Sequence, residues 1–327
     1  YADQIANLFL DELIKNGTTS VMTFCTSFKQ SVEAFFNAAE NRNLRMVAGK
    51  VMMDRHAPDE LCDNPDNSYS DSKELIEKWH NKGRLRYAVT PRFAPTSSSS
   101  QLNQAARLLN EYPSDDQTKG VLLQTHLNEN DEEIAWVNDL FPDSNSYFGV
   151  YEDHRITGNR SVFGHCIHNT EEEYQRMAKT GSKVSLCPTS NLFLGSGLFE
   201  LEKLESYGID VSLASDVGGG DSFSMFKVMN EAYKICRLND FNLDPIKAFY
   251  LTTLGAAKVL DMNDSIGNFE VNKEADFIVI DLNATEIISQ KNKIAMGVND
   301  ILFNLMTLGD DRLIDEVFIL GQRAYKK

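Results

Sequence analysis

Val121-Leu-Leu-Gln-Thr-His126 decides how the rest of the chain is read. The run has the length and apolar character of a strand buried on both faces, and it stops on an imidazole. Two later stretches follow the same plan, Ser161-Val-Phe-Gly-His165 and Val211-Ser-Leu-Ala-Ser-Asp216. In a (β/α)8 barrel the carboxyl ends of successive strands converge on one face, where such enzymes do their chemistry. Two imidazoles and a carboxylate meeting there form the donor set that a catalytic Zn²⁺ or Fe²⁺ asks for. The pattern reads as a metal-dependent hydrolase.

Outward from these runs, strand and helix alternate along the sequence. Apolar, strand-like segments lie near 18–24, 44–52, 85–91, 120–126, 161–167, 183–187 and 210–216. Amphipathic segments lie near 28–42, 71–82, 99–111, 131–140, 170–180, 198–206 and 223–238. The chain opens directly in a helical pattern, with Ile5, Leu8, Phe9 and Leu13 at helical spacing and Asn16-Gly17 as its stop. Seven strand–helix steps behind an orphan helix predict an α/β protein, a (β/α)8 TIM-type barrel lacking its first strand, and an N-terminal truncation. A doubly wound sheet is disfavoured, because no Gly-rich phosphate turn follows an early strand.

Near residue 265 the texture changes. The barrel is expected over 1–264. Residues 265–327 are expected to supply part of a small β-sandwich domain and a helical return, with strands at Ile266–Phe269, Ala275–Asp281 and Val317–Gly321.

The 327 residues carry a net charge of -16, which argues against nucleic-acid or anionic-membrane binding, since both need clustered basic groups. Five cysteines without C-x-x-C pairing suit reduced thiols, and the cytoplasm is the expected compartment. The zinc deaminases marked by H-x-E and P-C-x-x-C are excluded, because neither string occurs.

Each candidate residue also has an ordinary reading. In Gln124-Thr-His-Leu-Asn-Glu-Asn130, Glu129 can turn toward the pocket of His126 and move a proton between a water and a leaving group. It could equally be a helix N-terminal acid favoured by the macrodipole, with His126 a satisfied polar residue. In Gly164-His-Cys-Ile-His168 the strand-end His165 is the better ligand, and His168 falls in the following loop. Asp216 precedes three glycines that let backbone approach a ligand, yet alone it would pass for an acidic turn residue. The conjunction of the three favours chemistry.

The order His, His, Asp at strand ends is similar to the amidohydrolase superfamily. Val89-Thr-Pro-Arg-Phe-Ala-Pro95, Thr125-His-Leu-Asn-Glu-Asn130, Cys187-Pro-Thr-Ser-Asn-Leu-Phe-Leu-Gly-Ser-Gly197 and Ser215-Asp-Val-Gly-Gly-Gly220 resemble its guanine deaminases in their bacterial form, over nearly the whole chain. Val51-Met-Met-Asp-Arg-His-Ala-Pro58 and Asn16-Gly-Thr-Thr19 fit the same pattern.

The resemblance implies hydrolytic deamination of guanine to xanthine and ammonia with one divalent metal, Zn²⁺ or Fe²⁺. His126, His165 and Asp216 match metal ligands, and Glu129 and Asp216 match the catalytic acids and bases. Arg92 and Phe93 match the purine-contacting pair, so that His126, Glu129 and Asp216 would share the substrate pocket with them. The guanidinium would then bond the purine carbonyl and ring nitrogen, and Phe93 would offer a stacking face. Cys187 reads as packing, in a loop shaping the pocket. A homodimer is also expected. One departure is that the superfamily's His-x-His pair and its substrate-loop glutamine do not occur here; truncation accounts for both. The rivals are a deaminase of another ring (cytosine, a pterin, an adenosyl compound) and a metal-free scaffold on the same fold.

Overall fold

The polypeptide enters through α1 (Ala2–Lys15) and the strand β1 (Ser20–Phe24) in a computed structural model that describes residues 1–327. The chain forms two units, one of residues 1–10 and 20–184, the other of 11–19 and 185–327. No helix is long and apolar enough to cross a membrane.

In the first unit β1 is followed by α2 (Lys29–Glu40), β2 (Arg45–Gly49), β3 (Val51–Met52), α3 (Pro65–Trp79) and β4 (Leu85–Pro91). Then come α4 (Ser99–Glu111), β5 (Leu122–Leu127), α5 (Asp131–Leu140), α6 (Tyr147–Asp153), β6 (Ser161–His165), α7 (Glu171–Thr180) and the start of β7 (Lys183–Leu186). The strands lie side by side in the order β1-β2-β4-β5-β6-β7. The pairs whose register is known are parallel, Met22 opposite Val47, Ala88 opposite Leu122 and Thr125 opposite Phe163. All seven residues of β4 are buried, as expected of a parallel sheet covered on both faces. Helices α2, α3 and α4 pack against β2 and β4, with Phe36 of α2 against Trp79 of α3 at 5.6 Å between ring centroids.

The sequence predicts one strand over 44–52, but the structure breaks it at Lys50. Lys50 is buried, its ammonium pairs with Asp63, and its backbone N–H donates to the Tyr87 hydroxyl at 3.1 Å. A buried charge has to be met by a partner, and turning toward Asp63 interrupts the ladder. Gly49 just before it tolerates no side chain, since a Cβ there would lie 1.8 Å from the Ala88 carbonyl oxygen. Helix α3 begins at Pro65, six residues before the amphipathic signal, because Asn64 caps it by accepting from the Asn67 N–H. Helix α6 is absent from the sequence reading.

His80, just past α3, is held neutral. The Tyr87 N–H donates to its Nδ1 at 3.1 Å, so the proton sits on Nε2, 2.8 Å from the Lys119 carbonyl. Burial pushes its pKa down from 6.5 to about 4. A group whose folded pKa lies below its unfolded one contributes stability that is present above the unfolded value and lost as pH falls through the folded one. Urea midpoints are therefore expected to drop between pH 6.5 and about 4, and His80→Gln is expected to drop less over that window. Equal slopes would remove His80 from the acid response.

The chain passes into the second unit within β7. There Ala214 N–H donates to Leu186 O at 2.8 Å, joining β7 to β8 (Val211–Leu213) after α8 (Pro188–Leu194) and α9 (Leu201–Ser206). The region 188–194, read as loop, is a short helix with Pro188 at its first position and Gly195 closing it at φ +74. Helices α10 (Met225–Leu238), α11 (Pro245–Thr252) and α12 (Leu254–Val259) follow. The strand expected at 266–269 does not form. The Ile266 N–H instead bonds Met262 O at 3.0 Å, and its side chain is buried.

The expected C-terminal strands are present as β9 (Phe277–Ile280) and, after α13 (Glu286–Lys293) and α14 (Val298–Leu308), β10 (Ile314–Ile319). They pair antiparallel, and β11 (Gln322–Lys326) returns beside β10 through Leu320-Gly321, both at positive φ as a tight two-residue hairpin turn requires. The Asn16-Gly17 turn belongs to this unit. A Cβ on Gly17 would lie 2.8 Å from Ile314 Cδ1 and 3.3 Å from Ile278 Cγ2, and its φ of +81 suits glycine alone.

Candidate active site

In the first unit the site residues sit where β4, β5 and β6 end. Arg92 follows the last residue of β4; its guanidinium is exposed and lies 4.5 Å from the centre of the Phe93 ring. His126 is the penultimate residue of β5. Its Nδ1 lies 2.6 Å from the Arg92 carbonyl oxygen. A carbonyl only accepts, so Nδ1 carries the proton and the Nε2 lone pair is left available. Metal-binding histidines are commonly oriented in this way. Shielding from water, and then the neighbouring His165 ring, push the pKa of His126 down to about 3. Its imidazole is therefore neutral near pH 7, as a metal ligand must be.

His165 is the last residue of β6 and is buried. Its ring stacks on that of His126, with centroids 5.3 Å apart and planes 19° from parallel. Its Nδ1 lies 3.8 Å from Glu129 Oε1. Glu129 stands outside α5, one residue before the capping Asn130, whose side chain accepts from the Glu133 N–H. The helix cap is thus made by Asn130, and the Glu129 carboxylate faces His165 instead. His168 turns the other way, its Nδ1 3.7 Å from Asp131 Oδ1.

Four neighbours went unnoticed as site residues in the sequence. Phe24 closes β1 and lies 5.0 Å from the His126 ring, at a strand end like the histidines themselves. Trp136 on α5 meets Phe93 edge-on at 6.4 Å, and His56 lies 5.1 Å from Trp136. Glu133 is buried on the first turn of α5, and burial, with Tyr147 opposing and Glu129 adding to it, pushes its pKa up to about 7.

In the second unit Asp216 stands three residues beyond β8, which ends at Leu213 rather than at 216 as the apolar run suggested. Its carboxylate lies within 4.8 Å of the Cys187 sulfur, and a Cβ on Gly219 would come 3.2 Å from Asp216 Oδ2. Gly220 is required, since a Cβ there would sit 2.2 Å from Ser215 O. The Thr189 hydroxyl donates to Ser215 O at 3.0 Å and ties α8 to the Asp216 loop. Cys187, read as packing, is buried and neighbours this carboxylate.

The ends of these strands share one backbone peculiarity. Asn128, His165, Cys166 and Asp216 all have φ between +47 and +70, the left-handed region that non-glycine residues avoid. Each such residue costs roughly 1–3 kcal/mol and persists only where its surroundings impose it.

The pattern of the amidohydrolase family matches residues 1–324. Guanine deaminase of Escherichia coli (strain K12) is 47% identical over 327 residues, spanning 100% of this chain and 73% of that protein. The solved E. coli enzyme superposes with a TM-score of 0.97 at 48% identity, covering 100% of this chain and 76% of that one. Guanine deaminase from C. acetobutylicum, with guanine bound in its active site, gives 0.90 at 31% identity, covering 99% and 76%. A zinc-bound adenosine deaminase from Xanthomonas campestris shares the fold, with a TM-score of 0.86 at 21% identity, covering 99% and 70%.

Proposed function

Because this chain belongs to the amidohydrolase family and has its (β/α) barrel fold, we propose that it deaminates guanine hydrolytically to xanthine and ammonia. The observation that carries this reading is the whole-length likeness to guanine deaminases, and the local geometry supports a role for each residue. His126, His165 and Asp216 would hold one divalent cation, Zn²⁺, with Fe²⁺ accepted by the same donors. The donor set fits, since His126 is neutral and offers Nε2 while Nδ1 is engaged. When bound, such a cation brings the pKa of a water toward neutrality.

The protein's own groups do the rest. Asp216 takes a proton from the attacking water. Glu129 protonates the ring nitrogen as water adds to the amine-bearing carbon. It regains the proton that Asp216 took and passes it to the departing amine. The proton of the added hydroxyl then recharges Glu129, which alternates as acid and base. Arg92 bonds the purine carbonyl and ring nitrogen, and Phe93 backs the base. Residues 265–327 would form part of a small β-sandwich domain, and the working protein would be a cytoplasmic homodimer.

A panel of guanine, adenine, cytosine and a pterin tests the reading by ammonia release. Release from guanine alone is expected, and release from cytosine or the pterin instead would sink it. Arg92→Lys is expected to raise KM for guanine about tenfold or more, because a charged, two-pronged hydrogen bond of about 1.5–3 kcal/mol is lost, while kcat changes less. An unchanged KM would remove Arg92 from the pocket.

A further inference from the structure

Tyr151 on α6 is fully buried, its ring wedged 5.6 Å from both Tyr147 and Phe163. Its hydroxyl has three partners. It donates to the His126 carbonyl at 2.8 Å, accepts from the Ala94 N–H at 3.1 Å and meets the Thr125 hydroxyl at 3.2 Å. The Tyr151 proton goes to the His126 carbonyl, so at the Thr125 contact only Thr125 can donate, and it shares its single proton between Tyr151 and the Arg92 carbonyl. Thr125 Oγ1 in turn lies 3.2 Å from the Arg92 carbonyl, the same oxygen that receives the His126 Nδ1–H at 2.6 Å.

The partners come from two strand ends. Ala94 follows Arg92 and Phe93 past β4, while Thr125 and His126 belong to β5. A register pair holds Val89 of β4 beside Leu123 of β5 further back, and at the strand ends a long backbone bond, His126 N–H to Arg92 O at 3.3 Å, is reinforced by side chains. Here the gap between the two strand ends decides whether the imidazole can reach the Arg92 carbonyl, and so which ring nitrogen carries the proton.

We infer that Tyr151 is a positioning residue, whose hydroxyl fixes the ends of β4 and β5 against each other and thereby keeps His126 in the tautomer with Nε2 free. It acts through His126 and the Arg92-Phe93 backbone and touches no reacting atom. The inference deepens the proposed function and rests on it only where turnover or metal binding is measured.

The test is Tyr151→Phe, which keeps the packed ring and removes the hydroxyl, beside Thr125→Val and Thr125→Ser. In protein labelled with ¹⁵N-histidine, the parent is expected to show His126 protonated at Nδ1 alone, and Tyr151→Phe to show both tautomers. Zn²⁺ titrated alone is expected to bind Tyr151→Phe about tenfold more weakly, the size of loss seen when groups supporting a ligand are removed. Thr125→Val is expected to behave likewise and Thr125→Ser like the parent. The double variant should be no worse than the poorer single one, because both break one network.

If His126 keeps its single tautomer in Tyr151→Phe and Thr125→Val, the hydroxyl only fills the core and the inference is overturned. Should Tyr151→Phe fail to fold, Thr125→Val decides by itself. Were guanine left untouched by the parent protein, the proposed function would fall, while the histidine spectrum would still decide the part played by Tyr151.

Discussion

Glu129→Gln is expected to cut guanine turnover by about 10²–10⁴-fold, the usual weight of one general acid–base group, with the unfolding midpoint unchanged. The amide matches the carboxylate in size and still hydrogen-bonds, so only proton transfer is removed. The structure makes this substitution unusually clean. Asn130 caps α5, so Glu129 is not needed to start the helix, and its carboxylate faces His165 at 3.8 Å. Steady-state ammonia release, read against a urea denaturation curve, checks both halves of the expectation. Turnover within about threefold of the parent would mean that another group moves the proton.

The second large effect concerns the cation. His126→Ala is expected to reduce bound Zn²⁺ or Fe²⁺ to under about a tenth of the parent's content, and guanine turnover with it, as measured by elemental analysis and ammonia release. The reason lies in the ring's preparation: a neutral imidazole with one nitrogen tied to the Arg92 carbonyl offers the other at no cost in protons. Asp216→Asn is expected to act in the same direction, since a neutral amide is a far poorer ligand for a divalent cation than a charged carboxylate. Cys187→Ser provides the contrast. The thiol lies beside Asp216 but was read as packing, and this variant should keep its metal. Loss of metal there would add sulfur to the donor set, and full metal content in His126→Ala would remove the imidazole from it.

Much of this was legible in the sequence because buried parallel strands announce themselves as continuous apolar runs. Val121-Leu-Leu and Arg45-Met-Val-Ala became β5 and β2, and the alternation with amphipathic segments gave the order of elements. What escaped notice had specific causes. Strand β11 is nearly all polar, Gln322-Arg-Ala-Tyr-Lys326, and lies at the edge of its sheet, so no hydrophobic period marks it. Ile266 was apolar for a different reason, being buried in a turn that its N–H closes on Met262 rather than pairing in a sheet.

At the candidate site, side-chain type and position at a strand end pointed to His126, His165 and Asp216. The same rule applied to an aromatic would have found Phe24. Tyr151 could not be found this way, because it arrives on a helix about 25 residues after His126 and its part depends on hydrogen bonds rather than on period or motif.

The Asn16-Gly17 turn, seated against Ile278 and Ile314, has a consequence for how the chain is made. Roughly 300 residues separate its two sides, a wait of about 15–60 s at ordinary speeds of translation. While the ribosome works through the middle of the message, the tail of the first helix has already emerged and its resting place has not yet been written. Nascent chains halted before Ile278 should be clipped by a gentle protease near Gly17, and the released protein should resist it there.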